Sequence, residues 1–277
     1  TETEGWRRQS LWGMGIASRD VTGDGFPEVF LTSQGDNRLQ TLDGGADRPD
    51  YTDIAIRRGV TAHKPYEGDD TYASTAWHAQ FEDVNNDGFV DLYITKGNVD
   101  AMQEFAAEDP NNLLLGQPDG TFIESAMDAG VLSLGRTRGA ALADFNLDGL
   151  LDLVEVNRRE SVKLWRNVGA GTATAPESMG NWVAVELAQD GVNPDAIGSW
   201  IEVKVGDRTL HREVTVGGGH GGGQLGPVHF GLGPHEEVRM RVQWPHGEVG
   251  PWMKVKANGF VSIARGADEP SRSLDLP

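Results

Sequence analysis

The chain repeats one nine-residue pattern three times, as Asp20-Val-Thr-Gly-Asp-Gly-Phe-Pro-Glu28, Asp83-Val-Asn-Asn-Asp-Gly-Phe-Val-Asp91 and Asp144-Phe-Asn-Leu-Asp-Gly-Leu-Leu-Asp152. The first residues of the three copies lie 63 and 61 positions apart. Each copy is followed by a run with strand character, at residues 29–32, 92–95 and 153–156. A repeat of this period predicts a propeller or another array of β-sheet units.

Each acidic loop concentrates the oxygen ligands that calcium prefers. Ca²⁺ takes six to eight hard oxygens in a flexible shell. Acidic side chains stand at positions 1, 5 and 9 of each loop, a side-chain oxygen stands at position 3, and glycine at position 6 permits a sharp turn. With the main-chain carbonyl of position 7, the predicted ligands of about three calcium ions are Asp20, Thr22, Asp24, Phe26 and Glu28; Asp83, Asn85, Asp87, Phe89 and Asp91; and Asp144, Asn146, Asp148, Leu150 and Asp152.

Two other interpretations of these loops are weaker. Asp-Gly and Asn-Asp-Gly are good turn formers without any ion, but three copies with the same offsets favour a cation site. An EF-hand needs a glutamate at position 12 and helices on both sides. Position 12 is Leu31 in the first loop and Ile94 in the second, while Glu155 of the third lies in a strand-like segment. The loops are therefore not EF-hands.

Length and composition limit the remaining classes. A chain of 277 residues is long enough for two domains, and it has no cysteine for a disulfide, a thiolate zinc site or a thiol nucleophile. Its net charge of −18 argues against a nucleic-acid partner, and three calcium ions would reduce that charge to −12. No apolar stretch reaches the roughly 18 residues that a membrane span requires. The chain does not begin with methionine, so we expect that any signal peptide is not part of it.

The sequence changes character after the third repeat. Residues 1–168 hold the repeats, residues 169–180 have the composition of a linker, residues 181–266 form a predicted small β-domain, and residues 267–277 form a tail. Strand-like runs in the β-domain are 182–187, 200–205, 213–216 and 238–244. Within the second repeat, an insertion at 97–112 includes residues 101–107, for which we predict two helical turns.

Signals for catalysis are weak. Gly217-Gly-Gly-His-Gly-Gly-Gly223 contains G-x-G-x-x-G, but an extended segment follows it instead of a helix, so we predict a turn and no nucleotide site. His78 and His220 are the candidate acid–base residues, and Glu67-Gly-Asp-Asp70 is a further acidic candidate. A structural role is the better prediction for both histidines. The sequence therefore leaves catalysis uncertain and favours a non-enzymatic role.

The loops and their strands resemble FG-GAP (VCBS-type) repeats, as found in integrin α-subunit propellers. Residues 182–263 resemble the ASPIC/UnbV domain, most clearly at Asp195-Ala-Ile-Gly-Ser-Trp200 and from Gly217-Gly-Gly-His220 through Gln224-Leu-Gly-Pro-Val-His-Phe-Gly-Leu-Gly233. The combination resembles the cartilage acidic protein family and its bacterial homologues. This resemblance implies an all-β fold, a partial or incomplete β-propeller with calcium at its hairpin loops followed by a small β-rich ASPIC/UnbV domain. Thr22 and Glu28 depart from the usual Asp/Asn and Asp, so the first site is expected to be the weakest.

Three repeats cannot close a ring of the roughly seven blades that the resemblance implies. Missing N-terminal blades of a longer precursor, a homo-oligomer or another partner, or other segments of this chain must cover the exposed strand edges. The first of these is the leading expectation.

Two functional hypotheses follow. The first is an extracellular or periplasmic, non-catalytic module that binds a protein or glycan and that calcium stabilises. The alternative is an enzyme or substrate-binding protein of a secondary-metabolite pathway, with its site on the propeller face or in the cleft between the domains.

Overall fold

The computed structural model describes residue 5, residues 9–43, residues 45 and 47, and residues 49–274. Within these residues the chain forms 21 β-strands and one four-residue helix, which confirms the predicted all-β class. The two ends of the predicted domain scheme, residues 1–4 and 275–277, lie outside the described part.

Blade 1 is a four-stranded antiparallel meander in which each strand pairs with the next. Its acidic loop joins the first strand to the second, and Arg19 pairs with Glu28 at the base of that hairpin. A single turn of helix, α1 (Ala55–Arg58), follows the blade and ends at Gly59, whose φ of 80° lies in the left-handed region. The strands are Ile16–Arg19 (β1), Glu28–Leu31 (β2), Arg38–Asp43 (β3) and Asp50–Asp53 (β4).

Blade 2 repeats this meander with longer inner strands. Glu82 pairs with Asp91 across the base of the second acidic loop, as Arg19 and Glu28 do in blade 1. Every residue of its second strand is buried, because that strand lies between two others and is covered on both faces. The strands are Ala76–Glu82 (β5), Asp91–Lys96 (β6), Asn112–Gly116 (β7) and Phe122–Glu124 (β8).

Blade 3 has three strands, in the order β11-β10-β9. Ala143 pairs with Asp152 across the base of the third acidic loop, so all three loops occupy the same hairpin position in their blades. The strands are Thr137–Ala143 (β9), Asp152–Asn157 (β10) and Lys163–Trp165 (β11). The three runs predicted to follow the loops are confirmed as the second strands of the blades.

The predicted helical turns at residues 101–107 are wrong. This part of the insertion forms turns, with Asp100 and Ala101 at positive φ (44° and 57°), a conformation that a right-handed helix excludes. The Asn98 side-chain amide donates to the carbonyls of Met102 and Phe105, each at 3.0 Å, and these bonds hold the turns instead.

The blades pack against each other through their inner strands, β1 against β5 and β5 against β9. Between blades 1 and 2 the packing is apolar, and the rings of Phe30 and Phe81 meet edge to face with their centroids 6.1 Å apart. Between blades 2 and 3 a buried polar contact accompanies the apolar core, since the Tyr93 hydroxyl donates to Glu155 Oε1 at 2.6 Å.

The C-terminal domain consists of two four-stranded sheets with an apolar core between them. Alternation explains this core, because Val238, Met240 and Val242 on one strand are buried while their neighbours face outward. One sheet contains Asn181–Ala188 (β12), Val228–Gly233 (β17), Gly259–Ala264 (β20) and Ser271–Leu274 (β21). The other contains Trp200–Val205 (β13), Arg208–Glu213 (β14), Glu237–Gln243 (β18) and Met253–Lys256 (β19).

Three segments of this domain differ from the sequence-based expectation or extend it. The strand predicted at residues 213–216 is wrong, because β14 begins after the turn at Gly206 and ends at Glu213, its last pairing residue with β13. Strand β21 lies in the segment assigned to a tail and pairs with β20. Residues 169–180, assigned to a linker, form a turn with short β-bridges.

The glycine-rich segment forms a small hairpin of two short strands, Gly217–Gly218 (β15) and Gly222–Gly223 (β16). Its turn exchanges two backbone hydrogen bonds with β1, from the amide of Ile16 to the carbonyl of Gly219 (3.0 Å) and from the amide of Gly219 to the carbonyl of Ile16 (2.7 Å). The C-terminal domain thus reaches the inner strand of blade 1, and the three blades and its two sheets form a propeller-like arrangement of five sheets. The three alternatives for completing the open array stay predictions.

Candidate functional site

The three acidic loops follow the same backbone path. In each loop the fourth and sixth residues adopt positive φ, so the chain reverses twice within nine residues. These residues are Gly23 and Gly25 (φ 77° and 87°), Asn86 and Gly88 (59° and 84°), and Leu147 and Gly149 (62° and 85°). The repeated sequence pattern therefore corresponds to a repeated local structure.

The carboxylate at position 1 turns into its own loop and accepts the N–H of the glycine at position 6. The distances are 2.9 Å for Asp20 with Gly25, 2.7 Å for Asp83 with Gly88 and 2.7 Å for Asp144 with Gly149. This bond fixes the sharp turn at the glycine and keeps the first carboxylate inside the loop.

The carboxylate at position 5 accepts the N–H of position 7, at distances of 2.8, 2.7 and 3.0 Å for Asp24, Asp87 and Asp148. The side chain at position 3 then bonds to one of the loop acids. Asn85 donates its amide to Asp87 at 2.9 Å, and Asn146 donates to Asp148 at 2.8 Å. In the first loop, by contrast, the Thr22 hydroxyl donates to the acid at position 9, Glu28, at 3.2 Å.

The acid at position 9 ties each loop to its blade. It accepts the N–H of position 2 with one carboxylate oxygen, at 2.8 Å for Glu28, 2.8 Å for Asp91 and 3.3 Å for Asp152. The other oxygen accepts from the Thr41 hydroxyl, the Gly116 amide and the Asn167 amide respectively. All three loops thus share one internal hydrogen-bond pattern at positions 1, 5 and 9.

Five of the loop carboxyls, those of Glu28, Asp83, Asp91, Asp144 and Asp152, are held in surroundings that disfavour their charge. Burial is the largest cause of a raised pKa, and a neighbouring loop acid adds to it: Asp87 raises the pKa of Asp83, and Asp83 raises the pKa of Asp91. In the third loop the pKa values of Asp144 and Asp152 are raised by burial and, to a smaller extent, by Asp148. The pKa of Glu28 in the first loop is raised in the same way, by burial and then by Asp24. A cation among these groups would reverse the repulsion.

The residue types of the loops suit a hard cation such as calcium, but in the structure their oxygens are not gathered around a single point. Within the residues that the structure describes, no three His, Asp or Glu side chains are gathered as a ready metal site. In the second and third loops the position 3 amides, Asn85 Nδ2 and Asn146 Nδ2, donate to the acid at position 5 and so occupy oxygens that an ion would contact. A carboxylate oxygen that accepts one N–H keeps another lone pair, so the oxygens remain able to coordinate once these amides rotate.

The C-terminal domain sits directly on all three loops. On the first loop, His211 Nδ1 lies 2.9 Å from Asp20 Oδ2, which raises the pKa of His211, chiefly through that hydrogen bond. On the second, the Arg208 guanidinium donates to the carbonyl of Gly88 at 3.0 Å and lies 4.0 Å from the centre of the Phe89 ring. On the third, the ring of Trp182 lies so close to Gly149 that no side chain would fit there.

Asn86 of the second loop connects these contacts. Its side-chain oxygen lies 2.7 Å from His229 Nε2, and its side-chain amide donates to the carbonyl of Gly149 at 2.9 Å. Its own carbonyl accepts the amide of Gly233 at 2.9 Å. Burial lowers the pKa of His229 to about 4, so the ring is neutral and Nε2–H is the donor to Asn86.

A cavity of about 630 Å³ lies between the inner strands of the blades and the C-terminal domain. An ion pair forms part of its wall, because both terminal nitrogens of Arg212 donate to the carboxylate of Glu82, one of them at 2.6 Å. The Glu82 side chain is only 4% exposed, so the carboxylate of this interdomain pair is largely shielded from water.

The structure brings the two candidate histidines together. The amide of His220 donates to His78 Nδ1 at 3.2 Å, while His220 Nδ1 lies 2.8 Å from the carbonyl of Met14. The His78 side chain lines the cavity, and burial and then the proximity of His220 lower its pKa to about 4. Such a ring is a weak base at neutral pH. The acidic candidate at residues 67–70 is not among the described residues that line the cavity.

Sequence reasoning did not identify several residues that build this site. Arg19, His211 and Arg212 carry no motif. The partners of His211 and Arg212 lie far away along the chain, at separations of 191 and 130 residues. The only local signal was the position of Arg19 immediately before the first acidic loop. His78 was found because its residue type is common in catalysis.

Comparison with known proteins finds two family models, each of which matches a part of the chain. The model of the ASPIC and UnbV family matches residues 189–270, and the model of the FG-GAP-like repeat matches residues 83–155. A search of curated proteins found no match. The resemblance to FG-GAP repeats and to the ASPIC/UnbV domain is therefore confirmed, whereas the narrower resemblance to the cartilage acidic protein family has no support. Among the described residues, no helix has the length and apolar character needed to cross a membrane.

Proposed function

We propose that this protein, in which FG-GAP-like blades carry an ASPIC/UnbV domain, is a calcium-stabilised interaction module that works without catalysis in the extracellular or periplasmic space. The observation that supports the proposal most strongly is the threefold repetition of one loop, with acids at positions 1, 5 and 9 and with the position 1 carboxylate turned into the loop in every copy. Mutual repulsion of buried carboxylates disfavours this arrangement unless a cation is among them.

Calcium would be held by the acids at positions 1, 5 and 9, the side-chain oxygen at position 3 and the main-chain carbonyl at position 7. Asn85 and Asn146 would present their oxygens after a rotation of the amide. The first loop has a hydroxyl at position 3 and a longer acid at position 9, so we expect it to bind most weakly.

The calcium ions would support the surface on which the ASPIC/UnbV domain rests. Each loop contacts that domain, through His211, Arg208 and Trp182 respectively. An ion that holds a loop in its present shape therefore holds a part of the interdomain contact. The outer surfaces of the blades then form a rigid platform for a protein or glycan partner.

The proposed extracellular or periplasmic location rests on the affinity that calcium-binding modules of this kind commonly have. Extracellular calcium modules bind with dissociation constants on the order of 10⁻⁴ to 10⁻³ M, which suits the calcium concentrations outside the cytoplasm. At a calcium concentration about a hundredfold above the dissociation constant, each site would stabilise the folded state by roughly 2.7 kcal/mol.

Calcium titration with matched variants tests the proposal. Wild-type protein should bind about three calcium ions, and removal of calcium by a chelator should lower the melting temperature sharply, with magnesium failing to restore it. Asp87→Ala should bind one ion fewer. Asp128→Ala removes the same charge from an exposed position outside the loops and should retain the wild-type stoichiometry.

A melting temperature that is the same with calcium and with chelator would refute the stabilising role. Full stoichiometry in Asp87→Ala would refute the assignment of the ligands. Equal losses in Asp87→Ala and Asp128→Ala would indicate general electrostatics instead of a defined site.

The second candidate function, an enzyme or substrate-binding protein, is favoured by one observation, the cavity between the domains. The low pKa of His78, about 4, gives little support to its role as a general base at neutral pH. Ligand binding without catalysis fits this cavity better.

A further inference from the structure

The interdomain cavity has room for a small organic molecule. Its volume of about 630 Å³ lies within the range of ligand pockets, and it occupies a junction between domains, where such pockets are common. Part of its wall is apolar and accessible, since Ile16 is 57% exposed and Leu225 is 56% exposed. The cavity can therefore accommodate the hydrocarbon part of a small organic ligand.

Arg19 supplies an unpaired cation at one end of the cavity. The residue is only 7% exposed and lines the cavity, yet its guanidinium makes no hydrogen bond or ion pair with any residue that the structure describes. Its one specific contact is with the ring of Phe230, 6.0 Å from the centroid. A guanidinium has five N–H donors, and buried donors are nearly always satisfied.

The acids near Arg19 already have other partners. Asp20 accepts the amides of Gly23 and Gly25 and contacts His211, and Glu82 is paired with Arg212. These groups stabilise the charge of Arg19 at a distance but leave its donors free. An external acceptor is the missing partner.

His78 supplies a second unpaired donor. It is 6% exposed, its Nδ1 accepts the amide of His220, and its Nε2 makes no hydrogen bond of normal geometry among the described residues, although the Gln80 side chain also acts on the ring. A neutral ring that accepts at Nδ1 carries its proton on Nε2, so the free atom is an N–H donor. Leaving such a donor buried and unpaired is unfavourable.

The two donors lie at different depths of the cavity. His78 precedes Glu82 by four residues on β5, which corresponds to about 13 Å of extended strand. Arg19 and Glu82 occupy equivalent positions in neighbouring blades, each immediately before an acidic loop, and both border the cavity. Arg19 therefore lies at the level of Glu82, about 13 Å along the strand from His78. A ligand that satisfies both must be elongated.

We propose that this cavity binds an elongated organic carboxylate, whose carboxylate pairs with Arg19 and whose far end accepts a hydrogen bond from His78 Nε2. A carboxylate matches the two parallel N–H donors of a guanidinium. A phosphate monoester carries up to twice the charge, so Asp20, Glu82 and Asp83 around Arg19 would repel it more strongly, while the nearby Arg212 would attract it more strongly. The probes described next therefore include both anions. The site goes beyond the proposed calcium-dependent role and requires none of its ligand assignments.

Calorimetry with four probes on the calcium-saturated, full-length chain tests this site. The probes are decanoate, ω-hydroxydecanoate, the neutral decanediol and decyl phosphate. We expect both carboxylates to bind, ω-hydroxydecanoate to bind more tightly than decanoate, and decanediol to bind at least about tenfold more weakly than ω-hydroxydecanoate. Equal affinity for decanediol and ω-hydroxydecanoate, or no binding of either carboxylate at millimolar concentration, would overturn the proposal. Tighter binding of decyl phosphate than of decanoate would overturn the choice of a carboxylate.

Variants then assign the binding to the two donors. Arg19→Gln should weaken carboxylate binding at least about tenfold, whereas Arg239→Gln, which removes an exposed arginine from β18, should bind as wild type does. His78→Phe should abolish the advantage of ω-hydroxydecanoate over decanoate. Unchanged affinity in Arg19→Gln would exclude it as the anchor. If Arg19→Gln does not fold, Arg19→Lys and the comparison of charged and neutral probes on wild-type protein decide the question.

Discussion

Alanine at the sixth position of each acidic loop separates the backbone requirement of the loop from its contact with the C-terminal domain. Gly25, Gly88 and Gly149 have nearly the same φ, at 87°, 84° and 85°. The backbone cost of an added Cβ is therefore common to the three variants, at about 1–2 kcal/mol for a left-handed alanine. What differs is the neighbour that the new methyl group meets.

The expected order follows from these neighbours. At Gly25 a Cβ would meet the His211 ring at 3.7 Å, an ordinary contact that adds no cost. At Gly88 it would meet the end of the Arg208 side chain at 2.9 Å, and since that end can move, the expected addition is the loss of its hydrogen bond, about 0.5–1.5 kcal/mol.

At Gly149 the Cβ would overlap the Trp182 ring, with two ring atoms at 1.9 Å. That ring is 4% exposed and packs against His229 and Phe260, with centroids 5.8 and 5.1 Å apart, so it has no free space into which to move. Overpacking of this kind adds about 1–3 kcal/mol. The total for Gly149→Ala is then roughly 2–5 kcal/mol, compared with about 1–2 kcal/mol for Gly25→Ala.

Urea unfolding followed by tryptophan fluorescence in saturating calcium measures these differences. With an m-value of about 2–3 kcal/mol/M, an extra cost of ~2 kcal/mol lowers the midpoint by about 0.7–1 M. Gly130→Ala serves as the control, because Gly130 has a φ of 73° outside the loops and no atom within 4 Å of its Cβ position. Equal midpoints for Gly25→Ala and Gly149→Ala would refute the docking of the C-terminal domain on the third loop.

Two further predictions concern the same interdomain contact. Arg212→Met should destabilise the protein by about 3–5 kcal/mol, because it leaves the buried Glu82 carboxylate unpaired. In a double-mutant cycle followed by urea unfolding, adding Glu82→Gln should recover much of this loss. Additive losses would contradict the pairing. Burial lowers the pKa of His229 from 6.5 to about 4. Between pH 6.5 and pH 4 the unfolded chain therefore binds a proton at this histidine that the folded chain does not bind. The free energy of unfolding should fall as the pH is lowered through this range, by up to about 3 kcal/mol. His229→Gln should remove the share of this dependence that His229 contributes and leave that of His78, whose pKa burial also lowers to about 4. The exposed-site variant His246→Gln should keep the whole dependence, and the same slope in both variants would rule out His229 as a source.

Local signals explain what the sequence could predict. The acidic loops are hairpin turns because glycine at position 6 tolerates positive φ and the acid at position 1 caps the turn, and both requirements lie within nine residues. The strand that follows each loop was equally evident from its apolar residues. The segment 101–107 was mispredicted because helix-forming residues were held in turns by Asn98, whose hydrogen bonds no periodic pattern announces.

The cavity and the interdomain contact could not be predicted, because they depend on residues that are distant in the chain. Arg212 meets Glu82, and His211 meets Asp20, only after the C-terminal domain has folded and docked. Arg19 looks like an ordinary strand residue in the sequence. Its unpaired guanidinium becomes informative only when its burial and the partners of its neighbours are known.

The loops carry two kinds of information at different positions. Positions 1, 5 and 9 are acidic in all three copies, as expected if each loop meets the same ion. Position 4 has the same left-handed backbone in every copy but a different residue. The residue differs according to whether the C-terminal domain contacts it. Gly23 has no atom within 4 Å of its Cβ position, the side chain of Leu147 is 41% exposed, and Asn86 bonds to His229 and to the third loop. The second loop is therefore the central joint, and loss of its shape should loosen the third loop and the C-terminal domain together.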